Sequence, residues 1–186
     1  MKWPDSLQIA LKEWRTVCDA MGEGRQIIML RKGGIYEAGG EFEIAHRQFL
    51  LFPTYVHQSA RMLKRTEQVI PTSTEPDRVE ILVAGEITDI LPMPSRAAVD
   101  ALEGQHIWAQ PLIDMRFNYR PENPLFLLMV RAYRLEAPVD LENTPAYAGC
   151  KSWIPLDLAI STQNAIPAMD EEEYDLRRQT IREAIA

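Results

Sequence analysis

The sequence predicts an α+β fold, a small and mostly antiparallel curved sheet or barrel decorated with helices. Several short segments alternate apolar and polar residues as half-buried strands do, while others repeat apolar residues at the three-and-four spacing of a helix. The strand-like segments follow one another closely enough to pair as antiparallel neighbours. With 186 residues, 46% of them hydrophobic, the chain can bury a core without disulfides or a structural metal. We expect a single domain over residues 1–186.

Residues 1–22 are predicted to form an N-terminal amphipathic helix. Leu7, Leu11 and Trp14 recur there at the spacing of one helical face. At the other end of the chain, residues 168–186 place acids first and arginines last, as the dipole of a helix favours. A charged C-terminal helix is therefore predicted over that segment.

Residues 25–156 are expected to form the sheet or barrel core. Apolar runs and alternation predict six strands, at 27–30, 42–44, 49–52, 79–88, 125–135 and 153–155. Short helices are predicted at 57–65 and 95–102. The last strand contains Pro155, which cannot donate a hydrogen bond in a central ladder, so this strand is expected at an edge of the sheet.

Charge and cysteine content limit the function classes. A net charge of −7 and a pI near 5.1 argue against a protein that coats nucleic acid through charge alone. Cys18 and Cys150 form no zinc-binding pattern and are expected to be free thiols in a reducing compartment. No apolar stretch approaches the roughly 20 residues of a membrane span. We expect a cytoplasmic protein without membrane association.

The segment most typical of a ligand site has two cations followed by two glycine pairs. Arg31 and Lys32 supply charge, and Gly33 and Gly34 free the backbone amides to point toward an anion such as a phosphate. The same glycines are equally compatible with tight hairpin turns and solvated cations. Charge is segregated, at +2 over the first 70 residues and −9 over the remainder, so a local basic site is compatible with an acidic protein.

The predicted helix at 57–65 adds a second polar group. His57, Arg61 and Lys64 fall on one helical face, with Gln58 beside them. A solvated basic face is the default interpretation. The helix follows the glycine-rich segment by one short hairpin, however, and the two groups could form one site.

Two later segments place aromatic residues beside basic or polar ones. Trp108, Arg116 and Phe117 are a mixture that can stack a base and hold a phosphate. Lys151 and Ser152 follow a glycine turn and lead into the last strand, where both could contact a ligand. An ordinary hydrophobic rim would have the same composition.

No motif identifies a reaction. The chain has no Gly-Lys-Ser/Thr phosphate loop and no Gly-x-Ser-x-Gly elbow. His46, His57 and His106 are isolated from one another, so neither a metal nor a cofactor is expected. If the chain were catalytic, Glu37 and His57 would be the general acid and base. Catalysis is the less favoured interpretation.

Several motifs resemble those of a bacterial family, the domain of unknown function 1802. They are Leu30-Arg31-Lys32-Gly33-Gly34-Ile35 with Glu37, Leu51-Phe52-Pro53-Thr54 with His57-Gln58, His106-Ile107-Trp108, Arg116-Phe117 and Gly149-Cys150-Lys151-Ser152-Trp153. The resemblance spans nearly the whole chain and implies no established activity. Some relatives occur beside restriction-type endonuclease domains, which implies a role near nucleic acid and a restriction-type partner protein. The order of elements is also loosely similar to PUA-type barrels.

These features favour a recognition domain for nucleic acid or a nucleotide over two alternatives. One alternative is a hydrolase that acts on a phosphodiester or a small anionic metabolite through Glu37 and His57. The other is a protein-interaction module whose acidic tail helix docks a partner. The predicted binding residues are Arg31, Lys32, Gly33, Gly34, Gln58, Arg61, Lys64, Trp108, Arg116, Phe117, Lys151 and Ser152.

Overall fold

The computed structural model describes residues 3–32, 46–56, 58–67, 69, 72–119, 121–149 and 151–186, which contain seven strands and four α-helices. In chain order these are β1 (Ser6–Trp14), α1 (Arg15–Gly22), β2 (Ile28–Lys32), β3 (Gln48–Thr54), β4 (Arg78–Pro92), α2 (Arg96–Asp100), α3 (Gln110–Asn118), β5 (Leu125–Glu142), β6 (Trp153–Ser161), β7 (Ile166–Pro167) and α4 (Glu171–Ile185). The strand predicted at 42–44 lies outside the described ranges.

The strands form one sheet in the order β2-β5-β4-β3-β1-β6, with the short β7 paired to β5. Every pairing is antiparallel except that of β1 with β3, which is parallel. The predicted α+β fold with a mostly antiparallel sheet is confirmed, and the described strands form an open sheet in place of a closed barrel. The sheet curves so strongly that Arg31 on β2 donates to the backbone carbonyl of Lys12 on β1 at 3.0 Å. The strand that contains Pro155 lies at an edge, as predicted.

The N-terminal helix predicted over residues 1–22 is wrong for its first half. Ser6–Trp14 is the strand β1, and only Arg15–Gly22 is helical. The neighbours β3 and β6 pair with the two edges of β1, and both of its faces are covered, because the adjacent residues Ala10 and Leu11 are fully buried in different clusters. An internal strand that is apolar on both faces imitates the spacing of a helical face.

The helix predicted at 57–65 is also wrong, since its described residues contain only a 3₁₀ turn, Ala60–Met62. The backbone around this turn pairs with a distant segment. The amide of Lys64 donates to the carbonyl of Ile107 at 2.8 Å, and the carbonyl of Met62 accepts from a further amide of that segment at 2.9 Å. These long-range bonds use backbone groups that a helix would need, so tertiary pairing overrides the local pattern.

The two faces of the sheet are buried against different partners. Phe49 and Leu51 of β3 face the larger cluster, to which α1, α3 and α4 contribute. Leu50 and Phe52 face the smaller cluster, which Tyr147 and residues of β6 complete. Helices therefore cover one face, and the smaller core supports the segment that follows β5.

In strand β4, neighbouring side chains leave no room for a Cβ atom at Gly85. Gly85 is regularly paired on both sides. A Cβ atom there would lie 2.8 Å from Cγ1 of Val130 and 3.1 Å from the ring of Phe49. One bulge comes later, between Ile87 and Asp89. A bulge redirects the side chains that follow it, and Asp89 contacts α4.

The predicted charged C-terminal helix is present as α4. Asp170 caps its first turn by accepting from the amide of Glu173 at 2.8 Å. Tyr174 and Ile181 bury one side of the helix in the larger cluster. Across the described ranges, no helix combines the length and the apolar character needed to span a membrane.

Candidate functional site

A cleft of about 780 Å³ opens where β1 and β3 end. Because these two strands run parallel, their final residues, Trp14 and Thr54, lie at the same edge of the sheet. Arg31 on β2, Arg116 on α3 and residues of the segment 143–152 complete the lining. The volume falls in the range of roughly 300–1,000 Å³ that is typical of small-ligand sites.

The floor of the cleft is a buried ion pair between Glu13 and Arg31. Nη2 of Arg31 lies 2.9 Å from Oε2 of Glu13, and the two side chains are 9% and 6% exposed. The same Nη2 donates to the carbonyl of Lys12, and the amide of Trp14 donates to Oε1 of Glu13 at 2.9 Å. These bonds hold both charged groups in place and join β2 to β1.

Arg31 retains a donor that the described residues do not use. Its Nε is buried and has no hydrogen-bond partner among them. A buried donor without a partner costs about 1–3 kcal/mol. Burial lowers the pKa of Arg31, an effect that Glu13 opposes and Arg116 reinforces. The floor therefore contains an arginine donor for which the described residues supply no acceptor.

Two further cations line the cleft. Arg116 is half-buried and Lys151 is exposed, and neither makes a hydrogen bond or ion pair with any residue that the structure describes. Lys12 has a different role, because its Nζ donates to the carbonyls of Tyr147 and Gly149, the second at 3.1 Å. Lys12 thus fixes the turn after β5, while the other two cations remain open to a ligand.

Aromatic side chains form the apolar part of the lining. Phe52 and Tyr147 meet edge to face, with ring centroids 5.6 Å apart. The hydroxyl of Tyr147 donates to Asp157 at 2.9 Å, and burial raises the pKa of this tyrosine. Trp14 is partly exposed at the end of β1. Of these rings, that of Trp14 is the one exposed enough to stack on a planar ligand.

Part of the rim is acidic. Glu75 accepts from the backbone amides of Tyr55 and Val56, each at 2.9 Å, and so organises the segment before β4. Asp77 is exposed. With Glu13, the described residues of the lining include three carboxylates against four lysines and arginines. This balance suits a ligand with one anionic end and one neutral polar end better than a plain polyanion.

The structure brings four of the predicted binding residues into this cleft, Arg31, Arg116, Lys151 and Ser152. Two others are occupied with each other. Nζ of Lys32 donates to the backbone carbonyl of Phe117 and lies 5.5 Å from the centroid of its ring. Neither residue is part of the cleft lining.

The residues predicted at 57–65 and at 108 do not join the cleft. Gln58 is buried and accepts from the hydroxyl of Thr16 at 2.7 Å. Nζ of Lys64 donates to a backbone carbonyl at 2.7 Å. Trp108 is 4% exposed in the larger cluster, and Arg61 is exposed on the 3₁₀ turn. The helix expected to bring the polar residues together is not formed, which is why they do not share one face.

Among the predicted binding residues, catalytic residues and free thiols, those that lie outside the described ranges are Gly33, Gly34, Glu37, His57 and Cys150. The glycine-rich anion loop and the acid–base pair therefore stay predictions. Cys18 is a buried free thiol, as predicted, and burial raises its pKa. In the part of the chain that the structure describes, no three His, Cys, Asp or Glu side chains form a group suited to a metal ion.

Sequence reasoning missed Lys12, Glu13 and Trp14 as site residues, because it placed them on a surface helix. The parallel pairing of β1 with β3 brings Glu13 opposite Pro53. Such a pairing is not encoded in the local pattern. The one available signal is the unbroken apolar run 9–11, which is typical of a strand covered on both faces.

The fold and the cleft define the class, an α+β protein with a mainly antiparallel open sheet and a ligand-sized cleft at the sheet edge. The family described as Domain of unknown function (DUF1802) matches residues 10–180, and the chain belongs to that family. No curated protein matches the chain. Among solved structures, it is similar to a mutant ZmASCH protein from Zymomonas mobilis, with a TM-score of 0.44 and 9% identity over 99% of this chain and 100% of that one.

Proposed function

We propose that the protein recognises a nucleotide, either free or as a unit of single-stranded nucleic acid, in the cleft at the ends of β1 and β3. The observation that carries this proposal is the set of open donors in the lining. Nε of Arg31 is buried without a described partner, and Arg116 and Lys151 make no hydrogen bond or ion pair with the described residues. Guanidinium and ammonium groups in this state suit phosphate oxygens.

The shape of the cleft favours a single nucleotide over a duplex. A duplex is held through many phosphate contacts on a broad basic surface, which a chain of net charge −7 is poorly suited to provide. A cleft of about 780 Å³ encloses one small ligand. Trp14, which is partly exposed, supplies a ring against which a base can stack.

The alternative of an interaction module has less support. Arg177 of α4 donates to the carbonyl of Gly24 at 2.6 Å, and Arg178 donates to Asp89 at 3.1 Å. These basic residues of the tail helix are therefore used within the chain. The hydrolase alternative depends on Glu37 and His57, and no described contact supports it. A restriction-type partner protein is proposed from the motif resemblance alone.

Calorimetric titration with nucleoside monophosphates and with short single-stranded RNA and DNA tests the proposal. We expect Arg116→Ala and Lys151→Ala each to weaken binding about tenfold, which corresponds to about 1.4 kcal/mol. For single strands, removing one phosphate contact should also reduce the slope of log K against log salt by about 0.7.

The matched control is Arg65→Ala, which removes an exposed cation that does not line the cleft. This variant should bind as the wild type does. Wild-type affinity in both cleft variants would contradict the proposed site, and equal losses in all three variants would indicate charge attraction without a defined cleft.

A further inference from the structure

The floor of the cleft presents a defined pattern of donors and acceptors. A carboxylate offers about four lone-pair positions. Described donors occupy one on each oxygen of Glu13, the amide of Trp14 on Oε1 and Nη2 of Arg31 on Oε2. Each oxygen therefore keeps about one further position. Beside them, Nε of Arg31 is a buried donor without a partner in the described part of the chain.

A planar group that fits this pattern carries two N–H donors next to one acceptor. The Watson–Crick edge of guanine has this arrangement, with N1–H and the 2-amino group beside O6. Adenine offers one donor and one acceptor on that edge. Cytosine has one donor and two acceptors, and uracil has one donor between two acceptors. Guanine is the common base whose edge matches the floor.

We propose that Glu13 and Arg31 select guanine, with the carboxylate accepting from N1–H and the 2-amino group while Nε of Arg31 donates to O6. This inference rests on the nucleotide site proposed above and adds the identity of its base. The two side chains are 6% and 9% exposed, so water cannot easily replace a missing ligand contact. A base with the wrong edge leaves buried polar groups unpaired, the condition under which sites discriminate most strongly. Arg116 and Lys151 are then the cations for the phosphate.

Titration of the unaltered chain with GMP, IMP, AMP, CMP and UMP tests the selection directly. IMP lacks only the 2-amino group of GMP, so it removes one donor and keeps N1–H and O6. We expect GMP to bind about tenfold more tightly than IMP, as one hydrogen bond to a charged group predicts. AMP, CMP and UMP should bind about 100-fold more weakly than GMP.

The variant Glu13→Gln replaces one acceptor oxygen by a donor at nearly constant shape. We expect it to bind GMP and IMP with equal affinity. The matched control is Glu172→Gln, which makes the same change on an exposed residue of α4 that is not part of the cleft lining and should retain the tenfold preference. If Glu13→Gln does not fold, the GMP-to-IMP ratio of the wild type still decides the inference.

Ribose 5-phosphate, which has no base, separates this inference from the proposed function. Equal wild-type affinities for GMP, IMP and AMP would overturn the selection of guanine, whereas binding of ribose 5-phosphate that depends on Arg116 would leave the nucleotide site standing. If neither the nucleotides nor ribose 5-phosphate bind, the proposed function and the inference both fail.

Discussion

Two arginine–carboxylate clusters tie distant segments of this fold together, and they differ in what remains unpaired. The floor cluster is Glu13 of β1 with Arg31 of β2. The anchor cluster is Asp89 of β4 with Arg178 and Arg182 of α4. In the floor cluster, Nε of Arg31 has no described hydrogen-bond partner. In the anchor cluster, the carboxylate of Asp89 accepts hydrogen bonds from several side chains.

In the anchor cluster the carboxylate is the buried partner. The side chain of Asp89 is 1% exposed, and it accepts from the hydroxyl of Thr88 at 2.7 Å, from Nη2 of Arg178 at 3.1 Å and from Nε of Arg182 at 3.0 Å. Burial alone would raise the pKa of Asp89, but hydrogen bonds from Arg178, Thr88 and Arg182 outweigh it and lower the pKa to about 2. The two arginines are 34% and 52% exposed, so their spare donors reach water.

In the floor cluster both partners are buried. The side chains of Arg31 and Glu13 are 9% and 6% exposed, and water does not easily reach the unused Nε of Arg31. A buried ion pair is by itself weak evidence for either stability or function. The two clusters differ in where their unpaired donors lie. In the anchor cluster, which holds α4, the spare donors reach water, whereas in the floor cluster, which we propose binds a ligand, the spare donor is buried.

The largest expected effect is the loss of stability when the anchor carboxylate is removed. Asp89→Ala leaves two arginines without their acceptor and frees α4 from β4. We expect the free energy of unfolding to fall by about 3 kcal/mol, because the hydrogen bonds of Thr88, Arg178 and Arg182 to a charged group are all lost. Urea unfolding followed by circular dichroism measures this change.

Asp140→Ala is the control, because Asp140 pairs with Arg78 while both side chains are more than half exposed. It should change stability by less than about 0.5 kcal/mol. Equal losses in the two variants would show that the anchor cluster is no stronger than a surface pair.

The sequence predicts one half of each cluster. The order of acids and arginines in the last segment is a local pattern, so the helix α4 is predictable. Its carboxylate partner Asp89 is not, because a bulge in β4 and the docking of the helix decide that contact. Arg31 is predictable as a site residue because glycines follow it in the sequence. Its pairing with Glu13 is not predictable, because that contact depends on a sheet order that no local pattern encodes.

The cations predicted from the sequence to bind a ligand fall into two groups, those that line the cleft and those that are bonded within the chain, and tertiary contacts again decide which is which. Lys32 and Lys64 stand in basic stretches, but backbone carbonyls use both ammonium groups. Arg116 and Lys151 have no described ion pair and line the cleft. Residue type and spacing predict which side chains carry charge. Tertiary packing decides which of those charges remain open to a ligand.

The anchor cluster and the buried histidine His106, which is 6% exposed, should lose their contributions to stability in different pH ranges. Burial lowers the pKa of His106 to about 4, and Lys64 adds to the shift. The unfolded-state value is near 6.5, so the unfolded chain binds more protons between these values and stability falls as pH drops from about 6.5 to about 4. The contribution of Asp89 is lost at lower pH, as pH falls from about 3.8 toward 2.

We expect the wild type to lose roughly 2 kcal/mol between pH 7 and pH 4.5, within the bound of about 3 kcal/mol that the shift allows. Urea unfolding over this range measures the loss, and His106→Gln, which does not titrate, should reduce it. An unchanged pH slope in His106→Gln would assign the loss to other groups.

A smaller effect on stability is expected from Arg31→Lys in the floor cluster. Lysine keeps the charge but loses the planar fork and its Nε donor. We expect a loss of about 1 kcal/mol, since one of the two bonds to Lys12 and Glu13 is given up. The affinities for GMP and IMP should fall together, because both bases keep O6 and lose its donor, while binding of ribose 5-phosphate is retained. Unfolding curves and calorimetry on the same variant separate the two results, and an unaltered GMP affinity would show that Nε does not contact the ligand.

The smallest effect is expected where an arginine–carboxylate pair is neither buried nor open to a cleft. Nε of Arg78 lies 2.7 Å from Oδ2 of Asp140, yet the two side chains are 56% and 58% exposed. Water and salt compete for both groups, so Arg78→Ala should change the free energy of unfolding by less than about 0.5 kcal/mol. The effect should shrink further at 0.5 M salt, where exposed charges are screened. A loss as large as that of Asp89→Ala would mean that distance alone, without burial, determines the strength of these clusters.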